Sequence, residues 1–283
     1  MASSGRKWVL NHGKIWKKMS KQISVKKSGI VSKKQQDVRL CPCGIKQDYI
    51  LWTWCFAKLI EKSTEVKFNE VMLVNGSSHL HGTTMTALEE MIKVFHSEEV
   101  ETEVVQLGGK PIADCLQCNV CQKTGKCVIK DDGVNEFVEK AKTADGFVFA
   151  TPVYFAHPSG RIYDFLDRVF YSAGGYDAFK FKPGAAVAVA RRGGTTAALD
   201  GINKYFGIAQ MPVAGSTYWN MVHGLYGEEA SQDEEGMQTM RNLARNMIWM
   251  MRCFKLGRES GILYPETETD ACTNFIKRSD TLR

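Results

Sequence analysis

The sequence predicts an α/β fold, a doubly wound parallel sheet of five strands with helices on both faces, preceded by a basic segment that stands outside it. Three observations carry this reading. From Glu70 onward the chain repeats one cycle: a short apolar run, a turn, then an amphipathic stretch of helical period, as in strands joined by crossover helices. One run, Ala185–Ala190, is apolar at every position, as a strand covered on both faces must be. The charge also divides near Glu70: residues 1–68 hold 15 Lys and Arg against 4 Asp and Glu, net +11, while residues 69–283 carry −5 within an overall +6.

Each element follows in order. Val71–Asn75 is the first strand and Gly76–Thr84 the loop after it. Met85, Leu88, Met91, Ile92 and Phe95 then mark one face of a helix. Glu103–Leu107 is strand two. A cysteine-bearing loop leads to a helix with Val134, Phe137, Val138 and Ala141 on its apolar face, entered through Asp131 and Asp132, acids that suit a helix N-terminus. Phe147–Ala150 is strand three; Ile162, Phe165, Leu166, Val169 and Phe170 mark the next helix. After strand four, Ala185–Ala190, come a helix through Leu199, Ile202 and Phe206 and a fifth strand in Val213–Tyr218. Met237, Met240, Leu243, Ala244, Met247, Ile248 and Met251 trace a long closing helix. The expected domains are therefore a basic, disordered extension over 1–68 and one folded domain over 69–283.

The extension has ten Lys and Arg, six Ser and no acid in residues 1–36, which fits a solvated tail, a targeting segment or an assigned start upstream of the true one. Its longest apolar run, Tyr49–Ile60, contains Lys58 and is too short to span a bilayer, so no membrane partner is expected. The acidic remainder repels phosphate backbones, which excludes nucleic acid as a partner of the folded domain. Nine cysteines with irregular spacing do not read as the framework of a small secreted domain, so a reducing, cytoplasmic location is expected.

In open α/β sheets ligands sit outside the carboxyl ends of the strands. The loop after strand one, Gly76-Ser77-Ser78-His79-Leu80-His81-Gly82-Thr83-Thr84, offers backbone N–H groups, hydroxyls and the positive end of a helix dipole to a phosphate. It lacks a P-loop Lys and a GxGxxG pattern, which points to a monophosphate held by neutral donors; an ordinary capped turn is the alternative. After strand three, Thr151-Pro152-Val153-Tyr154-Phe155-Ala156-His157-Pro158 joins a rigid proline turn to two aromatics that can wall a flat heteroaromatic ring. After strand four, Arg191-Arg192-Gly193-Gly194-Thr195 allows close backbone approach and a cation beside an anionic reduced ring, or else is a plain surface turn.

The loop after strand two carries Cys115-x2-Cys118-x2-Cys121 and then Cys127. Two successive x2 spacings let three sulfurs reach one iron–sulfur cluster, and the fourth can close it. Zinc, which favours two separated CxxC pairs, and free thiols are the alternatives. Cys41-Pro42-Cys43 has no near partners and reads as incidental. Trp219, Asn220 and His223 follow the fifth strand, where they could cover a ligand, though simple packing is the commoner role and they stay outside the main reading.

These motifs, with Val74-Asn75-Gly76-Ser77-Ser78 and Thr151-Pro152-Val153-Tyr154, resemble the NADPH-dependent FMN reductase and iron–sulfur flavoprotein branch of the flavodoxin-like superfamily over about Glu70–Asn220. The resemblance implies FMN, its phosphate near Ser77, His79, Thr83 and Thr84 and its ring flanked by Pro152, Val153, Tyr154, Phe155, Arg192, Gly193 and Gly194. It also implies NAD(P)H as co-substrate, a [4Fe–4S] cluster on Cys115, Cys118, Cys121 and Cys127, and a homo-oligomer. Ser78 departs from a proline common in the family. The expected activity is hydride transfer from NAD(P)H to FMN and electron transfer onward to an acceptor that the sequence leaves open, with no catalytic side chain assigned. A flavin or thiol redox sensor and an electron carrier without nicotinamide turnover are the competing readings.

Overall fold

The structure is a computed structural model that describes residues 70–172 and 178–268 together with 271 and 273. The expected basic extension, with its Cys41-Pro42-Cys43 pair, lies outside the described residues. In chain order the elements are β1 (Val71–Asn75), α1 (Thr83–Ser97), β2 (Thr102–Gln106), α2 (Val120–Thr124), α3 (Val134–Ala141), β3 (Gly146–Tyr154), β4 (His157–Pro158), α4 (Gly160–Tyr171), β5 (Gly184–Ala190), α5 (Thr195–Ile208), β6 (Met221–His223), α6 (Gly227–Ala230) and α7 (Glu234–Glu259).

Five strands run parallel in the order β2-β1-β3-β5-β6, with β4 antiparallel on the tip of β3. This is the flavodoxin-like order, and it reverses direction between β1 and β3. The two-residue period of each strand divides the core into two faces. Met72, Val74, Phe147 and Phe149 join Phe137, Phe165, Phe170, Phe179 and Phe206 on one face, an aromatic core under α3, α4 and α5. Val71, Leu73, Val148 and Ala150 meet Met91, Phe95, Met240, Met247 and Met251 on the other, under α1 and α7. Each such side chain removed from water contributes about 1.5–3 kcal/mol before conformational entropy is set against it.

The structure corrects the expected elements in four places. Strand three does not end at Ala150. It runs on to Tyr154, pairing Thr151 and Pro152 with Ala188 and Val189 of β5, so the stretch expected as a loop is mostly strand. Proline is tolerated there because β1 stops at Asn75 opposite Ala150, leaving Pro152 a neighbouring strand on one side only. The fifth strand is Met221–His223, not Val213–Tyr218. Val213 makes a single bridge to Gly184, after which the chain leaves the sheet edge because Ser216 and Thr217 bond to Thr239 and Asn242 of α7. On α1 the buried face is Thr84, Ala87, Leu88, Met91, Val94 and Phe95, with Met85 and Ile92 at its margin. Finally, Asp132 serves the start of α3 as expected, accepting from the Val134 N–H (3.4 Å), but the capping position itself is Gly133, at φ 81°, and the carboxylate also pairs with Arg168.

Candidate functional site

The β1 loop leaves the sheet at its switch point and is tied down by its neighbours. Asn75, fully buried, accepts from the Ser77 N–H through Oδ1 (3.0 Å) and donates through Nδ2 to Gln106 Oε1 (2.6 Å). Gln106, at the end of β2, donates to the Ser77 carbonyl (2.8 Å), and Ser159, which caps α4, donates to the Gly76 carbonyl (2.9 Å). A side chain at Gly76 would place its Cβ 2.8 Å from the Ala150 carbonyl oxygen and 2.9 Å from Ile162, so glycine lets the loop lie against β3.

The start of α1 has no comparable partners. Gly82 occupies the capping position and supplies no side-chain acceptor, leaving first-turn N–H groups without one. Thr84 is 1% exposed, and its hydroxyl has no hydrogen-bond partner. A buried hydroxyl left alone costs about 1–3 kcal/mol. An uncapped helix start beside an unpaired buried hydroxyl, at the carboxyl end of β1, fits an anionic group with several acceptor oxygens. Ser77 is buried with its hydroxyl accepting from the His79 N–H (3.1 Å), Thr83 is half-buried, and His79 is exposed at the rim.

The other two loops meet each other. Phe155 and Ala156 form a two-residue turn between β3 and β4 with φ of 49° and 61°, a left-handed pair usually filled by Asn-Gly. Phe155 is 99% exposed at its apex, and Tyr154 is also exposed, while Pro152 and Val153 are half-buried beneath. Gly194, at φ 92°, packs under this turn: a Cβ there would sit 2.7 Å from Ala156 Cα and 2.9 Å from Val153. Gly193 has open space above it and Arg192 is exposed. His223 Nε2 lies 3.0 Å from the Arg192 carbonyl, and the His223 N–H donates to Asp233 (2.7 Å), so β6 fixes the position of the β5 loop. The predicted residues of all three loops therefore gather at the carboxyl end of the sheet.

The four predicted cysteines also come together. Cys115, Cys118, Cys121 and Cys127 line one small cavity with Arg168 and Tyr171. The thiols are free, Cys121 buried and Cys118 exposed. Among the described residues, no three His, Cys, Asp or Glu side chains are grouped to hold a single metal ion. Four thiols are donors of the kind that hold iron–sulfur clusters or zinc. The surrounding loop is held from outside itself. Asn135 on α3 exchanges two hydrogen bonds with the Cys127 backbone (2.8 and 3.0 Å), and Tyr171 on α4 donates to Asn119 (2.7 Å).

Arg168, on α4, has a fully buried side chain. Its Nε and Nη2 donate to Cys127 Sγ (3.4 Å each), Nη1 to the Ala113 carbonyl (3.3 Å), Nη2 to the Ile129 carbonyl (3.1 Å), and both terminal nitrogens to the Asp132 carboxylate. Burial alone would lower the basicity of this guanidinium, but its bonds to Asp132 and Cys127 outweigh that and raise it above the usual arginine value.

Residues 69–225 match the family described as NADPH-dependent FMN reductase. The chain belongs to that family. Two relatives, each named iron–sulfur flavoprotein, come from Methanocaldococcus jannaschii and Archaeoglobus fulgidus. Both are 32% identical, the first over 66% of this chain and 99% of its own length, the second over 63% and 95%. A solved flavoenzyme, the NAD(P)H:(acceptor) oxidoreductase of Paracoccus denitrificans, overlays with a TM-score of 0.51 at 16% identity, covering 66% of this chain and 98% of that one. That likeness bears on the fold alone. No helix among the described residues is long and apolar enough to cross a membrane.

Sequence reasoning missed the supports of this FMN reductase family member: Gln106, Ser159, Asn135 and above all Arg168. Arg168 had a signal, being a cation set within the apolar stripe Phe165, Leu166, Val169. Gln106 had none, since its role depends on β2 lying beside β1. His223, read as packing, positions the β5 loop.

Proposed function

We propose that residues 69–283 form an FMN-dependent NAD(P)H oxidoreductase domain, with the flavin phosphate at the β1 loop and its ring between the β3 and β5 loops. The observation that carries this reading is the unpaired, buried Thr84 hydroxyl at the uncapped start of α1, at the end of the sheet where this fold class places its ligands. In this reading Ser77, His79, Thr83 and Thr84 surround the phosphate. Pro152, Val153, Tyr154 and Phe155 form one wall of the ring site, and Arg192, Gly193 and Gly194 the other. FMN held there would supply the hydride and electron chemistry, which is the cofactor's own.

The residues bind, orient and stabilise. The Gly194 contact with Ala156 keeps the two ring-side loops at fixed separation, and His223 holds the Arg192 carbonyl in place. The Arg192 cation would stabilise the negative charge that develops on a reduced ring. Cys115, Cys118, Cys121 and Cys127 would hold a [4Fe–4S] cluster beside this site, the role that the names of the relatives suggest, with a carrier protein or small molecule as acceptor and a homo-oligomer as the working form.

The test is anaerobic titration of FMN-loaded protein with NADPH and with NADH, followed by the flavin absorbance. Bleaching by one equivalent of either nucleotide supports the reading. A protein that takes up FMN but is bleached by neither is an electron carrier or sensor, and a protein that takes up no FMN has a different ligand.

A further inference from the structure

We propose that Arg168 sets the reduction potential of an iron–sulfur cluster on Cys115, Cys118, Cys121 and Cys127 by donating two hydrogen bonds to the Cys127 sulfur from a buried guanidinium. The inference rests on the cluster reading above and concerns a residue that takes no part in binding the cluster. Arg168 donates to that sulfur through the Nε/Nη2 edge, the fork that elsewhere grips a carboxylate. A neutral thiol is a poor acceptor, whereas a thiolate is a good one. The other edge is occupied by Asp132. An arginine needed only to fill space would be better replaced by an apolar side chain, because burying its charge is costly.

The guanidinium also collects the chain on both sides of the cysteines. Through Ala113 it fixes the approach to Cys115, and through Ile129 and Asp132 the exit from Cys127. Its donors are thus aimed before a cluster is in place. An oxidised cluster with its four thiolates is already anionic, and one-electron reduction adds a further negative charge without breaking a bond. A fixed cation and N–H donors at a ligand sulfur favour the more negative state, so Arg168 raises the potential, while Asp132 partly offsets it.

The test uses full-length wild type, Arg168→Lys, Arg168→Gln and Asp132→Asn, each reconstituted with iron and sulfide and loaded with FMN. Iron and acid-labile sulfide per chain report cluster content. A redox titration followed by electron paramagnetic resonance reports the cluster potential, with the flavin couple of the same sample as internal reference. Arg168→Lys keeps a charge but loses the fork, and is expected to hold the cluster with its reduction equilibrium shifted at least tenfold toward the oxidised form, about 59 mV for one electron. Arg168→Gln is expected to shift it further in the same direction, and the flavin couple is expected to stay in place. Asp132→Asn is expected to shift the cluster the opposite way, and it decides the matter if neither Arg168 variant retains iron. Equal cluster potentials in wild type and the variants overturn the role of Arg168 and leave the cluster standing. A wild-type protein that takes up no iron and sulfide overturns the cluster reading, and this inference with it.

Discussion

The loops after β1 and β2 leave neighbouring strands at the same end of the sheet, yet they are built on opposite principles. The β1 loop is anchored at its base by backbone carbonyls, Asn75, Gln106 and Ser159, and runs into a helix start where the buried Thr84 hydroxyl has no partner. The β2 loop is gathered around a buried cation whose donors all have acceptors within the protein. The first leaves a buried hydroxyl that, on the proposed reading, a ligand completes; the second has its own electrostatic centre. The difference makes the two regions separable by mutation.

The largest effect is expected at that centre. Arg168→Met removes one partner of a buried ion pair and leaves the Asp132 carboxylate, 14% exposed, without its counter-charge. A loss of about 3–5 kcal/mol is expected in urea unfolding of the FMN-free protein. Arg168→Met combined with Asp132→Leu should recover most of it, because the stranded charge is then gone. If the single variant unfolds like wild type, the β2 loop is not organised by its cation and the contrast fails.

How much was legible in the sequence follows the same division. The β1 loop lies within one stretch of chain, and its glycines and hydroxyls are visible as a motif. Its placement needed only the strand before it and the helix after it. The cysteine spacing was equally visible. What holds those cysteines comes from α3 and α4, with Asn135 8 residues from Cys127 and Arg168 41 residues from it. No local pattern announces such contacts, apart from the charge on an otherwise apolar helix face. The misplaced fifth strand has the same origin: Val213–Tyr218 has strand composition, but polar contacts to α7, a remote element, take the chain off the sheet.

Gln106 is where the two regions touch, since it ends β2 and bonds to both Asn75 and Ser77 of the β1 loop. Gln106→Leu should leave the buried Asn75 amide and the Ser77 carbonyl short of a partner and cost about 1–3 kcal/mol. FMN affinity, followed by fluorescence quenching, should fall, while iron and sulfide content stays as in wild type. Parallel loss of both would mean that the loops form one unit.

The smallest effect on stability, and the sharpest on function, is expected from Thr84→Val. The exchange preserves shape and removes a hydroxyl that has no partner in the ligand-free protein. Unfolding of FMN-free protein should therefore change by no more than about 0.5 kcal/mol, or shift toward greater stability, because an unpaired buried hydroxyl is a cost to the fold. FMN affinity should fall about tenfold, or about 1.4 kcal/mol, the worth of one hydrogen bond to a charged phosphate. Riboflavin, which has the same ring and no phosphate, separates the two halves of the site: its affinity should be equal in wild type and variant. If riboflavin binding falls as far as FMN binding, Thr84 supports the ring instead, and the phosphate does not lie at the start of α1. If neither falls, the unpaired hydroxyl is a local cost of the fold, and the β1 loop is no less complete without a ligand than its neighbour.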